Sequence, residues 1–167
     1  MAAAHPLLSI RPATADDVPL IRQLIAELAE YERLADAAVA TDDGLREQLF
    51  GAHPAAEVLI GEVDGEPAGF ALFFHNFSTF LGKRGLYLED LFVRPAFRGA
   101  GLGKHLMASL ARLAVQRDCG RFEWSVLDWN APAIGFYRTL GAVGMAEWTV
   151  QRLEGEALQA LASHDAL

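Results

Sequence analysis

The chain has 167 residues, 52% of them hydrophobic, and a formal net charge of -8 at pH 7. Its length and composition predict one domain over residues 1–167, because this many apolar side chains are enough to bury a core. The charge argues against a nucleic-acid partner, and the lack of a leader pattern or a long apolar run predicts a cytoplasmic protein without a membrane partner.

The N-terminal part predicts a strand followed by two helices. Residues 7–11, Leu-Leu-Ser-Ile-Arg, form a short β-rich run. Thr14, with Asp17 three residues later, is typical of a helix start, and apolar residues then recur at helical spacing to about Glu32. Thr41 is the candidate cap of a second, shorter helix.

In the middle of the chain the apolar pattern predicts strands. The runs 57–63 and 67–75 are joined by an Asp-Gly pair, which is typical of a two-residue hairpin turn, so we expect them to pair antiparallel. Residues 76–85 are interpreted as a loop with aromatic content. Residues 86–93 form another β-rich run, closed by an Arg-Pro pair.

The C-terminal part completes an alternating pattern of helices and strands. The predicted elements are a helix from Gly101 to about Arg117, a strand at 121–127, a helix at 132–140, a strand at 142–150 and a terminal helix at 156–162. Up to the last strand the order is βααβββαβαβ. This order predicts a mixed α/β fold, in which an antiparallel meander leads into a strand, a crossover helix and a strand.

A glycine-rich segment, residues 98–105, joins a predicted strand to a predicted helix. It does not fit a P-loop, because His105 stands where Ser or Thr is needed, nor a dinucleotide fingerprint, because Lys104 or Leu106 replaces the last glycine. Free N–H groups at a helix start favour an anion, and Arg98 and Lys104 add positive charge. A tight strand-to-helix turn alone would also explain the glycines.

Two motifs together resemble the GNAT (Gcn5-related N-acetyltransferase) superfamily. Arg98-x-x-Gly101-x-Gly103, after a strand and at a helix start, is similar to the segment that binds the pyrophosphate of acetyl-CoA in that superfamily. Asn130 followed by Tyr137 resembles its second cofactor half-site, and the element order resembles its fold over almost the whole chain. "GLYLEDLFV", "LDWN" and "FYRTLGA" narrow the resemblance to the diamine (spermidine/spermine) branch with its thialysine-acetylating members.

The resemblance implies acetyl-CoA as the donor and coenzyme A as a product. The cofactor-binding residues that it implies are Leu91, Phe92, Val93, Arg98, Gly99, Ala100, Gly101, Leu102, Gly103, Lys104, Asn130, Phe136 and Tyr137. Backbone groups of residues 91–93 would bind the pantetheine arm as an added strand, and Asn130 would orient its amides.

The implied acceptor is a small molecule with a primary amine, and such an amine needs a base. An alkylammonium with a pKa of about 10.4 is neutral in only about one molecule in 2,500 at pH 7, which costs roughly 4.6 kcal/mol. By resemblance, Glu89 is the base, acting directly or through water. Asp90 would point to the opposite face of a regular strand, so both carboxylates reach the substrate only if a bulge intervenes.

Other site residues are implied in the same way. Tyr137 would protonate the departing thiolate, since a tyrosine hydroxyl with a pKa near 10 is neutral at pH 7. Tyr31, Glu32 and Trp148 would line the acceptor cleft, although Glu32 would equally pair with Arg33 or water and Trp148 would equally pack in the core.

Two alternative functions remain open, namely acetylation of a protein N-terminus or lysine, and a non-catalytic acyl-CoA-binding module. The single cysteine, Cys119, lies away from both motifs, so we expect direct attack rather than an acetyl-enzyme. The five histidines are scattered, and we expect no metal. Family members commonly dimerise, so a homodimer is expected, and the aromatic-rich C-terminal strand predicted here permits it.

Overall fold

The computed structural model describes residues 5–164, so both ends of the predicted 1–167 domain lie outside the described residues. The chain divides after Ser125 into two compact units. Within residues 5–164, every helix falls short of the length and apolar character that crossing a membrane requires.

The first unit is built on a five-stranded sheet in the order β1-β2-β3-β4-β5. Its strands are β1 Leu8–Pro12, β2 Glu57–Val63, β3 Glu66–Ser78, β4 Lys83–Val93 and β5 Phe122–Trp124. The first four pair antiparallel, and β5 pairs parallel to β4. Asp64 and Gly65 turn the β2–β3 hairpin with positive φ angles of 51° and 83°, which confirms the predicted turn.

Three helices complete the first unit and confirm the predicted helices there. They are α1 Val18–Tyr31, α2 Asp42–Phe50 and α3 Leu102–Gln116. At the predicted start of the first, the Thr14 N–H donates to the Asp17 carboxylate at 2.8 Å. At the start of α2, the Thr41 hydroxyl accepts from the Gly44 N–H at 3.1 Å.

The two faces of the sheet pack against different helices. Ile60 and Phe92 on one face belong to the same buried cluster as Ile21 and Leu24 of α1. Gly61, the next residue of β2, faces the other way, where an added Cβ would lie 2.9 Å from Leu102 of α3. Strand β4 is thus held against α1 close to the glycine-rich segment.

An ion network ties β1 to β2 and to the start of the helical layer. Arg11 donates to Asp17 at 2.8 Å and to Glu62 at 2.9 Å. The hydrogen bond from Arg11 holds the pKa of the Asp17 carboxyl at about 2, below its usual 3.8. Because the folded state has the lower pKa, this stabilisation is complete above about pH 4 and is lost as the pH falls through about 2.

We therefore expect the unfolding free energy to fall by about 2 kcal/mol from this group as the pH is lowered from above 4 to about 2. Urea unfolding at a series of pH values measures this decrease. In Asp17→Asn the unfolding free energy should change less between about pH 4 and about pH 2. Asp16→Asn, at an exposed neighbour, is the control and leaves the profile unchanged. An Asp17→Asn profile that follows the wild type would contradict the assignment.

The predicted loop at 76–85 is wrong in its extent. Strands β3 and β4 continue to pair through it, down to Ser78 opposite Lys83, and only residues 79–82 turn. Gly85 is a strand residue whose missing side chain leaves room for the Asn76 side chain.

The second unit contains two helices, α4 Ala131–Thr139 and α5 Gly155–Ala162, and both were predicted. The predicted strand at 142–150 is wrong, because this segment has no strand pairing in the structure. The side chains of Val143, Trp148 and Val150 are exposed. An alternating apolar pattern forms a strand only when a neighbour accepts its backbone hydrogen bonds. The predicted strand at 121–127 is also shorter, reduced to β5.

Candidate active site

A β-bulge interrupts strand β4 at Glu89. Leu72 of β3 pairs with Asp90, and the next residue, Phe73, pairs with Leu88, so Glu89 has no partner across the ladder. A bulge of this kind breaks the regular alternation of side chains. The sequence predicts that Glu89 and Asp90 can both reach the substrate only if a bulge intervenes, and the structure has a bulge at this position.

The two carboxylates of the bulge differ in their surroundings. Glu89 is exposed, whereas Asp90 is partly buried on the strand face that carries Leu72 and Phe92, next to α1. Burial, reinforced by the negative charges of Glu89 and Glu32, raises the pKa of Asp90 to about 6. Burial also raises the pKa of Glu32 at the end of α1. Asp90 is thus repelled by two other carboxylates, which is an arrangement that a cation would relieve.

The glycine loop offers unused backbone donors. Gly99 and Gly101 have φ angles of 86° and 90°, in the left-handed region that favours glycine. Within the described chain, the N–H groups of residues 99–104 donate to no protein acceptor. A Cβ at Gly99 would meet nothing within 4 Å, so packing does not explain that glycine. The loop therefore suits a phosphate group bound by backbone amides at the start of α3.

Arg98 connects the loop to the end of α1. Its guanidinium lies 4.8 Å from the centroid of the Tyr31 ring and 6.0 Å from that of Phe92. Its Nε donates to the carbonyl oxygen of Val93 at 3.0 Å. Arg98 thereby brings Tyr31, a predicted acceptor residue, next to the predicted cofactor loop.

Strand β4 has an open edge beyond the bulge. The pairing with β5 covers only residues 86–88, and in the described chain no strand pairs with residues 89–93 on that side. We call this segment the open edge of β4. It contains Leu91, Phe92 and Val93, whose backbone groups an extended ligand with amide groups would meet as a neighbouring strand meets them.

The remaining predicted site residues lie in the second unit. Asn130 is buried and caps α4, and its side-chain oxygen accepts from the Ala133 N–H at 3.3 Å. Phe136 and Tyr137 lie on the same helix, with ring centroids 5.5 Å apart. The side chain of Trp148 is 78% exposed, so the core alternative for this residue is wrong.

Sequence reasoning did not foresee the raised pKa of Asp90 or the stacking of Arg98 on Tyr31. Both depend on the distance between the end of α1 and β4, which no local pattern reports. The sequence did contain one signal, the adjacent Glu-Asp pair in an apolar strand. Two neighbouring carboxylates are unusual in such a strand and indicate a functional role.

The chain is similar to known acetyltransferases. The acetyltransferase (GNAT) family model matches residues 21–142. A thialysine N-epsilon-acetyltransferase of Sus scrofa is 39% identical, covering 92% of this chain and 96% of that protein. The L-ornithine N5-acetyltransferase NATA1 of Arabidopsis thaliana is 37% identical, covering 94% and 89%. An integron cassette protein from the mobile metagenome of V. cholerae superimposes with a TM-score of 0.80 at 28% identity, covering 94% and 98%.

Proposed function

Because the chain belongs to the acetyltransferase (GNAT) family, we propose that it moves an acetyl group from acetyl-CoA to the primary amine of a small cationic acceptor. Diamines, polyamines and thialysine-like amino acids are the acceptor class. The observation that carries the proposal is the group of three carboxylates, Glu32, Glu89 and Asp90, at the bulge of β4. The thialysine and ornithine acetyltransferases to which the chain is similar support the same class.

The donor side of the site rests on backbone groups. The free N–H groups of residues 99–104 would hold the pyrophosphate of acetyl-CoA, with Arg98 and Lys104 adding charge. The open edge of β4 would bind the pantetheine arm through Leu91, Phe92 and Val93. Asn130 and Phe136 are the further cofactor contacts that the family resemblance implies. Acetyl-CoA supplies an activated acyl carbon to this arrangement.

The acceptor side handles a charge and a proton. Asp90 and Glu32 would hold the ammonium group, and Glu89 would take its proton, so that the neutral nitrogen forms the new bond to the acyl carbon. Tyr137 would give a proton to the sulfur as the carbon–sulfur bond breaks. Tyr31 and Trp148 would line the acceptor cleft.

An acceptor panel tests the proposal. Release of free thiol from acetyl-CoA is measured with diamines, spermidine, thialysine, ornithine and a lysine-containing peptide. We expect turnover with the small amines and little with the peptide. If acetyl-CoA binds in calorimetry but no amine is acetylated, the chain is not an acetyltransferase. If the peptide is the preferred acceptor, the proposed acceptor class is wrong.

The glycine loop gives a second test of the donor site. We expect Gly101→Ala to weaken coenzyme A binding by about tenfold, the worth of one hydrogen bond to a charged group, because alanine resists the φ angle that orients the loop amides. Titration calorimetry with coenzyme A measures it.

The matched control is Gly65→Ala at the β2–β3 turn, with a φ of 83° and open space around it. Each variant should lose about 1–2 kcal/mol of unfolding free energy, the cost of a left-handed alanine. Only Gly101→Ala should lose affinity for coenzyme A. Equal affinities in the two variants would remove the loop from the cofactor site.

Three further properties belong to the same proposal. The two compact units form one domain, which the family match at residues 21–142 supports because it crosses Ser125. A homodimer is supported by exposed apolar side chains in the second unit, namely Val143, Met145, Trp148, Val150, Leu158 and Leu161. Sedimentation velocity measures the oligomeric state. The cytoplasmic location stays a prediction from the sequence.

A further inference from the structure

The end of the sheet farthest from the glycine loop carries a group of basic side chains that acetyl transfer does not use. A cavity of about 500 Å³, here called the basic pocket, is lined by His75, Phe77, Gly82, Lys83, Arg84, Arg117 and Asp118. It lies at the β3–β4 turn, where Ser78 pairs with Lys83. The length of β4 separates it from Val93 by on the order of 30 Å, at the rise of an extended strand.

Two of the cations in the basic pocket already have carboxylate partners. Arg117 makes a two-point contact with Glu57, at 2.6 Å and 2.9 Å. Lys83 donates to Asp118 at 2.7 Å. Neither carboxylate neutralises the third cation, since Arg84 makes no ion pair within residues 5–164. The pocket therefore has an excess of positive charge in a chain whose total is -8.

His75 lies beside the arginines of the pocket. Its Nε2 lies 3.4 Å from a guanidinium nitrogen of Arg117. Burial and the charges of Arg117 and Arg84 lower the pKa of the His75 ring, and the opposing effect of Glu57 is smaller. Only the part of the shift that comes from Arg117 and Arg84 reflects positive charge, and that charge favours an anion.

We propose that the basic pocket binds the phosphate group of a small phosphorylated molecule, with Arg84 as its main ligand. The planar fork of a guanidinium matches two phosphate oxygens, and Arg84 is the guanidinium not already held by a carboxylate. Phe77, 62% exposed, supplies an aromatic wall beside it. The volume is in the range of small-molecule sites, about 300–1,000 Å³.

The charge of the pocket separates it from the acceptor site. A polyamine would be repelled by Arg84 and Arg117 and attracted by the carboxylates at Glu89. The pocket is thus not a second place for the acceptor.

The experiment follows nuclear magnetic resonance signals of the His75 ring and of arginine Nε groups. Inorganic phosphate or adenosine monophosphate is titrated at constant ionic strength into enzyme carrying one equivalent of coenzyme A. We expect saturable shifts at His75 and Arg84 with both probes and an upward shift of the His75 pKa, because the bound anion offsets the neighbouring guanidinium charges. If the nucleotide binds more tightly than phosphate, Phe77 contacts its base. If the two bind equally, the pocket recognises the phosphate group alone.

Two variants keep the test specific. Arg84→Gln should weaken phosphate binding by about tenfold, the loss of one hydrogen bond to a charged group. Arg112→Gln removes the same charge from an exposed position on α3, where Arg112 donates to Ser109, and should leave binding unchanged. Equal weakening in both variants, or shifts that chloride reproduces, would overturn the proposal. Both side chains are exposed, so thermal unfolding of both variants should match the wild type.

Discussion

Glu89→Gln should lower kcat/KM for a diamine by about a hundredfold or more at pH 7, the usual contribution of a positioned base. The amide keeps the size of the bulge residue but cannot take the proton of the ammonium group. As the pH rises toward the amine pKa of about 10.4, more acceptor arrives already neutral, so the variant should recover part of the loss. Steady-state kinetics from pH 6 to pH 10 measure both effects.

Asp90→Asn is the matched control, because it removes the other carboxylate of the same bulge. The pKa of Asp90 is about 6, so below that pH the group is neutral and no longer attracts the acceptor. In the wild type we expect the acceptor KM to rise as the pH falls through about 6. In Asp90→Asn the KM should be high at every pH, with kcat changed less than in Glu89→Gln. A larger loss of kcat in Asp90→Asn would transfer the base role to Asp90.

Tyr137→Phe should lower kcat by about a hundredfold, since it removes the hydroxyl that would protonate the departing sulfur. The ring keeps its place on α4 beside Phe136, so the affinity for coenzyme A should be nearly unchanged. Rapid-mixing kinetics at saturating acceptor measure the rate, and calorimetry measures the affinity.

Tyr87→Phe controls for the loss of a tyrosine hydroxyl as such. That hydroxyl lies 2.8 Å from the Ser125 hydroxyl in the first unit, and it has no role in the proposed proton transfers, although Tyr87 lies two residues before Glu89. Tyr87→Phe should lower the unfolding free energy by about 1 kcal/mol, because it removes one ordinary hydrogen bond, and it should leave kcat unchanged. An unchanged kcat in Tyr137→Phe would remove Tyr137 from the mechanism.

The elements best predicted from the sequence were those with local physical causes. The Asp-Gly turn at residue 64 and the caps at Thr14 and Thr41 depend on neighbours within a few residues, and the structure has each of them. The strand predicted at 142–150 failed because strand pairing is supplied from elsewhere in the chain. The loop predicted at 76–85 was too long for a similar reason, since residues 76–78 and 83–85 form strand by pairing with each other.

For the candidate site the same distinction holds. Short contiguous segments that resemble the family supplied the glycine loop, Glu89 and Tyr137 as candidates, and their roles stay predictions. The pKa of Asp90 was not predictable, since it depends on burial against α1 and on the charge of Glu32. A tertiary contact of this kind leaves no trace in the sequence near residue 90.

The open edge of β4 bears on how the protein behaves in solution. Unpaired backbone groups on a strand are a template for another chain, and such edges promote self-association. A pantetheine arm lying along residues 89–93 would occupy that template as a covering strand does. Preparations stripped of coenzyme A should therefore become turbid sooner on storage than preparations that keep it, and light scattering over days would register the difference.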